Sequence, residues 1–268
     1  MRRVLDQQQR QWDLNRLNFE GCWQGRSHWY LRSEALDPLH PSRVIDDTCY
    51  DIQFSDPDHG VWDGRGLLFA PEGRRRLALS RTSYNSGGNC WQFSGAGGQS
   101  SRRVDATAER FGHEVNLFAG RARSMLVLLW GQHPEAEPCG WSLDAIGAVA
   151  FRCAHAKEQD PARPEQTPEQ LLRDLEGWPG EQECWPHEQL TPCEPFSAEQ
   201  FAIHPLTASF VDGLICSVPE WLPEGAFRLH IGCRTSADAF QQISLVFGAH
   251  QQLELCERRL YRRSQIHP

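Results

Sequence analysis

The chain has 268 residues, 40% of them apolar, with ten Trp and thirteen Phe. That is enough to build a core, and it excludes wholesale disorder. A formal net charge of −8 and a pI near 5.8 argue against a nucleic-acid binder, because such proteins present basic surfaces that release counterions.

Met1-Arg-Arg-Val-Leu5 opens no apolar run of the kind a secretory signal carries. The longest such run, Met125 to Trp130, falls far short of the roughly 20 residues of a membrane span. A cytoplasmic protein without a membrane span is therefore expected. The ten cysteines, Cys22, Cys90 and Cys139 among them, are scattered without a Cys-x-x-Cys pair. In a reducing compartment they read as small core residues.

In chain order, residues 5–20 place Leu5, Trp12, Leu14, Leu17 and Phe19 among glutamines and arginines, an amphipathic helix able to plug a barrel end. From Cys22 the period changes to two, so Trp23, Gly25, Ser27, Trp29 and Leu31 share one face of a strand. Alternation recurs from Val44 to Phe54, with Tyr50, Ile52 and Phe54 beside Asp46 and Thr48. Asp56-Pro-Asp-His-Gly60 reads as a turn into Val61–Phe69, and Pro71-Glu-Gly73 as the next turn, into Arg76–Tyr84. Asn89–Phe93 is a short strand, and Ser94–Ser101, rich in glycine, reads as a flexible loop. Further strands are expected at 110–118, 123–130 and 145–154, about eight in all, as a meander or small barrel needs.

Residues 156–168 are polar and broken by prolines, which places a boundary between units 1–160 and 165–268. Thr167 can cap a helix with Pro168 at its first position and Gln170 closing a capping box, through about Leu175. Strands follow at 206–218, 227–234, 241–247 and 253–262, the last placing Arg259 beside Tyr261. The fold class expected is all-β and antiparallel, a barrel followed by a smaller barrel-like unit, each led by a short helix. The two leaders carry a repeated signature: Leu17-Asn-Phe-Glu-Gly21-Cys-Trp23-Gln-Gly25 and Leu171-Leu-Arg-Asp-Leu175-Glu-Gly177-Trp178-Pro-Gly180.

A helix, a Gly-x-Trp entering the first strand, a meander, and Arg259 beside Tyr261 on the last strand together resemble the calycin superfamily of lipocalins and fatty-acid-binding proteins. The resemblance implies that Trp23 closes the barrel base and that an arginine of the final strand, Arg259 or Arg262, packs across it. Over its whole length the chain is similar to two-part calycin-like proteins of unknown function from cyanobacteria. More remotely it resembles the calycin-type lyases that attach bilins to phycobiliproteins. The second copy, Gly177-Trp178-Pro179, departs from Gly-x-Trp.

A barrel of this size holds one small ligand. Alternation points Trp23, Trp29, Tyr50, Trp91, Phe93 and His113 inward, with Arg81 in phase with Leu77 and Leu79. A buried cation must be paired, so Arg81 either holds an acidic ligand, forms an internal pair with Asp46, or reaches the rim. His113 reads as a core histidine, and the aromatics as packing or as a platform for a lipid-like or tetrapyrrole-like molecule. In the lyase reading Arg81 and Tyr84 would cradle the pigment. The functions expected are binding or carriage of a hydrophobic, acidic small molecule; alternatively bilin lyase-like delivery to a phycobiliprotein; alternatively a protein scaffold with filled barrels. No catalytic set emerges, and an enzyme activity is expected only in the lyase reading.

Four further patterns read as structure. Asp56-x-Asp58-x-Gly60-x-x-Asp63 lacks the glutamate of a calcium loop, Gly95-x-Gly97-Gly98 lacks the Lys-Ser/Thr of a phosphate loop, and no metal site stands out among the eleven histidines. Arg258, Arg259, Arg262 and Arg263 read as a solvated basic end.

Overall fold

The computed structural model describes residues 2–134, 140–158, 160–185 and 189–264. Helix α1 (Arg2–Phe19) leads nine strands: β1 (Gly21–Leu31), β2 (Arg43–Phe54), β3 (His59–Arg65), β4 (Arg74–Ser80), β5 (Cys90–Phe93), β6 (Ala96–Ser100), β7 (Arg110–Ala119), β8 (Ala122–His133) and β9 (Gly140–Cys153). Helix α2 (Pro168–Leu175) leads a second set: β10 (Gly180–Trp185), β11 (Thr191–Cys193), the short helix α3 (Ala198–Phe201), β12 (Leu206–Ser209), β13 (Leu214–Val218), β14 (Phe227–Ser236), β15 (Ala239–Phe247) and β16 (Leu253–Arg262). Both sets are antiparallel throughout. No described helix is long and apolar enough to cross a membrane.

The strand orders are β4-β3-β2-β1-β9-β8-β7-β6-β5 and β11-β10-β16-β15-β14-β13-β12. In each sheet the first strand lies between the second and the last. The second order is therefore that of the first without a counterpart of β3 and β4. The repeated tryptophan signature marks equivalent places, at the entry to β1 and to β10.

Local chemistry explains most element ends. Gly21, at φ +140, stops α1, and a side chain there would collide with the Arg121 guanidinium. Thr167 and Gln170 form the expected capping box, with Pro168 in the first turn of α2. Asp56 turns β2 into β3 by accepting from the backbone N–H of Asp58 and His59 at 2.8 and 2.9 Å. The segment expected to run from Leu206 to Val218 is split into β12 and β13 by Asp212, which sits at φ +60.

The glycine-rich segment after Phe93 is a strand, not a flexible loop. β6 pairs Gly97 with Gln92 and Gly98 with Trp91, and a Cβ on either glycine would strike the facing side chain. The glycines make room for Trp91 and Gln92 to lie across the hairpin.

The first sheet curls until both of its edge strands, β4 and β5, border one cavity. It is a half-barrel, open between those edges where a closed barrel was expected. The strand expected from Arg76 to Tyr84 ends at Ser80, and the turns of residues 81–89 span the gap. Helix α1 covers the other side through side-chain amides. Gln11 Nε2 donates to the Gln92 carbonyl at 3.0 Å and Gln11 Oε1 accepts from the Gln92 N–H at 2.8 Å, as a neighbouring strand would. Asn18 Nδ2 donates to the Phe93 and Ala96 carbonyls. This satisfies an edge that would otherwise invite pairing with another chain.

Inside the curl, Trp23, Tyr50, Ile52, Phe118, Met125, Val149 and Phe151 form a buried cluster. The opposite face packs back to back on the second sheet. That core holds Trp91, Phe93, Phe111, Val115, Leu126, Leu128 and Trp130 from the first sheet and Leu214, Leu229, Ile231, Ile243, Leu245 and Phe247 from the second. The inner side of the second sheet is occupied by α2, α3, Trp178, Phe196, Phe240 and Tyr261.

Two charged clusters bridge the sheets. Asp212, almost fully buried, accepts from Ser124 of β8 (2.7 Å), from both Nη atoms of Arg152 of β9 (3.0 and 2.7 Å) and from Arg163 of the connecting segment (3.2 Å). Arg258 of β16 pairs with Glu183 and donates to the Ser94 carbonyl of the first sheet. The basic end of the chain is therefore not a solvated patch throughout: Arg258 is buried and Arg259 is bonded to Glu257 at 2.6 Å. Every cysteine among the described residues is free; Cys139 lies outside them.

Candidate functional site in the first half-barrel

A cavity of about 440 Å3 lies inside the first sheet, bounded by α1, by β4 and by the β5–β7 strands. Its apolar wall includes Trp12, Phe19, Ile52, Trp62, Leu77 and Leu79, and its many polar groups include Arg75, Tyr84, Gln92, Glu114, Asn116 and Arg123. Leu77 is 40% exposed at the mouth, so the cavity communicates with solvent along β4. Helix α1 holds this end rigidly. Trp12 Nε1 donates to the Pro57 carbonyl at 2.7 Å, and its ring packs edge-on against Phe54 and Tyr84, each at 5.4 Å.

Arg123 is the group with the most consequence. Its side chain is 1% exposed, and its guanidinium carbon lies 4.9 Å from the ring centre of Phe19, 5.0 Å from Phe151 and 5.2 Å from Tyr50. Nε donates to Asn116 Oδ1 at 2.7 Å, and Nη2 stands 3.5 Å from Glu114 Oε1. Among the described residues Nη1 has no hydrogen-bond partner. Burial lowers the Arg123 pKa and the nearby Glu114 and Tyr50 partly restore it; a guanidinium so placed remains charged. The guanidinium is thus desolvated and cupped in aromatic faces, with Glu114 as the nearby carboxylate.

Of the residues expected inside, Trp23, Tyr50 and Trp29 do face the interior. Trp23 is fully buried and donates from Nε1 to the Phe19 carbonyl at 2.7 Å, and it stands opposite Tyr50 in the register. Trp29 lies further along β1, edge-on to Phe69 at 5.2 Å. Tyr84 lines the cavity with its hydroxyl towards Gln92, and burial pushes its pKa up.

Arg81 does not point inward. It lies beyond the end of β4, half exposed, paired with Asp58 at 2.6 Å and donating to Gln9 at 2.9 Å. Asp46, its suggested internal partner, pairs with Arg26 on the surface at 2.6 Å. Trp91, Phe93 and His113 occupy the opposite face of the sheet, in the core between the two sheets. The guanidinium nearest Trp23 is that of Arg121 at 4.7 Å, with Arg123 at 5.9 Å. Arg259 belongs to the second sheet, next to Gln182 and Gln242 in the register. The arginines that pack on Trp178 are Arg263 at 5.4 Å and Arg234 at 5.7 Å. Each half thus sets its entry tryptophan against two guanidiniums, none of them that of Arg259 or Arg262.

His113 is 2% exposed among Phe111, Trp130 and Phe247, with both ring nitrogens unpartnered. Burial pushes its pKa down to about 3, so it is neutral and no base. His113→Leu is expected to raise stability by about 1 kcal/mol at pH 7 by removing two unpaired polar atoms. The gain should widen as pH falls below about 6.5, where the unfolded chain takes up a proton that the folded chain refuses. Urea midpoints at pH 7 and pH 5 measure both effects; a variant less stable at both would mean that the imidazole is held by packing that leucine cannot match.

No group of three or more His, Cys, Asp or Glu among the described residues is arranged to hold a metal ion. No family model matches the chain, and no curated protein matches it. Among solved structures, it is similar to a protein of unknown function from the DUF3598 family of Nostoc punctiforme. The identity is 15%, the match covers 95% of this chain and 99% of that one, and the TM-score is 0.67. A second, the tesB protein MAP1729c of Mycobacterium avium subs paratuberculosis, matches at 13% identity over 80% of this chain and 96% of that one, with a TM-score of 0.14, too low to bear on the fold. The first likeness extends the two-sheet architecture to a cyanobacterial protein and is a likeness of fold alone.

Proposed function

We propose that the chain binds a small hydrophobic acid inside the first half-barrel, with the acid group on Arg123 and the apolar body against Trp12, Phe19, Trp62 and Leu79. The observation that carries this reading is a buried guanidinium with an unpartnered Nη1, among the groups that line a cavity of about 440 Å3. That volume falls within the range of small-molecule sites. The leading helix and the buried tryptophan at the entry to β1 are the features shared with the calycin pattern; the guanidiniums on Trp23 come from the β7–β8 turn and the start of β8 and not from a final strand. Binding and carriage need no covalent step.

Titration of the purified chain with retinoic acid and with retinol, followed by quenching of tryptophan fluorescence, tests the reading. Retinoic acid is expected to bind with one-to-one stoichiometry and at least about tenfold more tightly than retinol, since a charge-assisted contact is worth about 1.5–3 kcal/mol. Equal affinity for the two would remove the acid from the proposal. Saturation by neither would favour a filled scaffold.

A further inference from the structure

A second cavity of about 330 Å3 lies at the far end of the first sheet, where β1, β7, β8 and β9 present their ends. Its wall carries Arg32, Arg110, His133 and Asp144, with Phe69 at its edge. Asp144 is engaged: its Oδ1 is 2.8 Å from His133 Nε2 and 3.9 Å from Arg32 Nε. Gly131 makes room for this carboxylate, because a Cβ there would collide with it. Arg32 also donates from Nε to the Leu143 carbonyl at 3.0 Å and lies on the Trp221 ring at 5.3 Å, so its fork is fixed before any ligand arrives.

Arg110 differs. Its guanidinium stands 4.5 Å over the Phe69 ring, which rests edge-on against Trp29, and among the described residues it has no carboxylate partner. Two guanidiniums against one carboxylate give this pocket a positive excess in a chain whose net charge is −8. Trp221 comes from the second sheet's β13–β14 connection, which is stitched to the start of β9. The Leu143 N–H donates to the Glu220 carbonyl at 2.7 Å and the Leu222 N–H to the Trp141 carbonyl at 2.9 Å. The pocket is lined by the first half of the chain, and the second half buttresses it through Trp221 against Arg32.

We propose that this pocket is a second binding site, separate from the Arg123 cavity, for an anionic group carried on an aromatic ring. A carboxylate or phosphate would be clamped between Arg32 and Arg110, with the ring against Phe69, Leu31 and Leu129. Arginine suits the task because its planar fork matches both anions and stacks on aromatic faces.

The test uses 1-naphthoate and 1-naphthalenemethanol as probes on the full chain, followed by the amide NMR shifts of Gly112 and Gly131, which neighbour and face Arg110. Naphthoate is expected to move these amides saturably, and R110A to weaken it at least about tenfold while changing naphthalenemethanol less than about twofold. Arg110 is exposed, so R110A threatens the fold little, and R110K, which keeps the charge, should retain part of the affinity. The proposal is overturned if millimolar naphthoate leaves both amides still, if R110A binds as the wild type does, or if the shifts gather around Arg123 instead. Inorganic phosphate that competes with naphthoate would assign the clamp to anions in general; a failure to compete would assign it to aromatic carboxylates.

Discussion

Asp212→Asn is expected to destabilise the chain by about 3–5 kcal/mol, the cost of leaving buried cations without their counter-charge. The Arg152 and Arg163 side chains are 15% and 8% exposed, and the Asp212 side chain that neutralises both is 1% exposed. Asparagine keeps the shape and tolerates φ +60, so this variant isolates charge from backbone. Asp212→Ala should cost roughly 1 kcal/mol more, because alanine resists the left-handed region. Urea unfolding at pH 7 reads both, and a D212N midpoint within about 1 kcal/mol of the wild type would show that water or other groups take over the guanidiniums. Acid should mimic the variant. Burial alone would raise the Asp212 pKa, but the bonds from Arg152, the charge of Arg163 and the Ser124 hydroxyl outweigh it, and the carboxyl titrates below its ordinary range. Its stabilisation is thus complete above about pH 4 and is lost as pH falls through the lowered value. D212N, having no carboxyl, should lack that part of the acid limb.

The second large effect belongs to Arg123. Arg123→Met should abolish preference for an acid over its neutral analogue, lowering affinity for retinoic acid by about tenfold to a hundredfold and leaving retinol within about threefold. Methionine fills much the same space, and Glu114, 37% exposed, can be solvated once the guanidinium is gone, so the penalty of breaking a fully buried pair does not arise. The urea midpoint is therefore expected to hold or rise even as binding falls. That combination separates a ligand anchor from a structural ion pair. If R123M loses stability and both ligands together, the guanidinium is holding up the barrel wall through Asn116 and Glu114, and the acid reading fails.

Much of the architecture could be read from the chain because its punctuation is chemically strong. Thr167-Pro168 starts a helix, Asp56 closes a turn, and Trp23 to Trp29 alternates cleanly, since one face of β1 looks into the half-barrel. The failures share one cause. From β5 to β9 the sheet is buried on both faces, so runs such as Met125 to Trp130 are apolar throughout and alternation cannot say which side is the interior. Trp91, Phe93 and His113 were assigned to the cavity in this way, and they pack between the sheets instead. Arg81 was judged by its phase with Leu77 and Leu79, but the strand ends at Ser80 and phase means nothing beyond it. A signal for Arg123 was present: a single cation at the head of the most apolar strand must be explained by a partner or a ligand. Arg110 gave none, because its meaning depends on Phe69, which only the tertiary fold brings beneath it.

The order of the strands also governs how the chain can assemble. Trp23 lies opposite Cys153, and Gly180 opposite Tyr261, so in each sheet the first strand is completed only by the last. Neighbouring hairpins such as β7–β8 close cheaply, whereas each of these pairings requires a long loop to be drawn in first, which slows folding. During synthesis β1 can join β2 early, yet its other edge stays unsheathed until residue 153 has emerged. The strand carrying the tryptophan signature is thus the first of its sheet to be made and among the last to be enclosed. An unpaired edge of this kind is where non-native strand pairing starts.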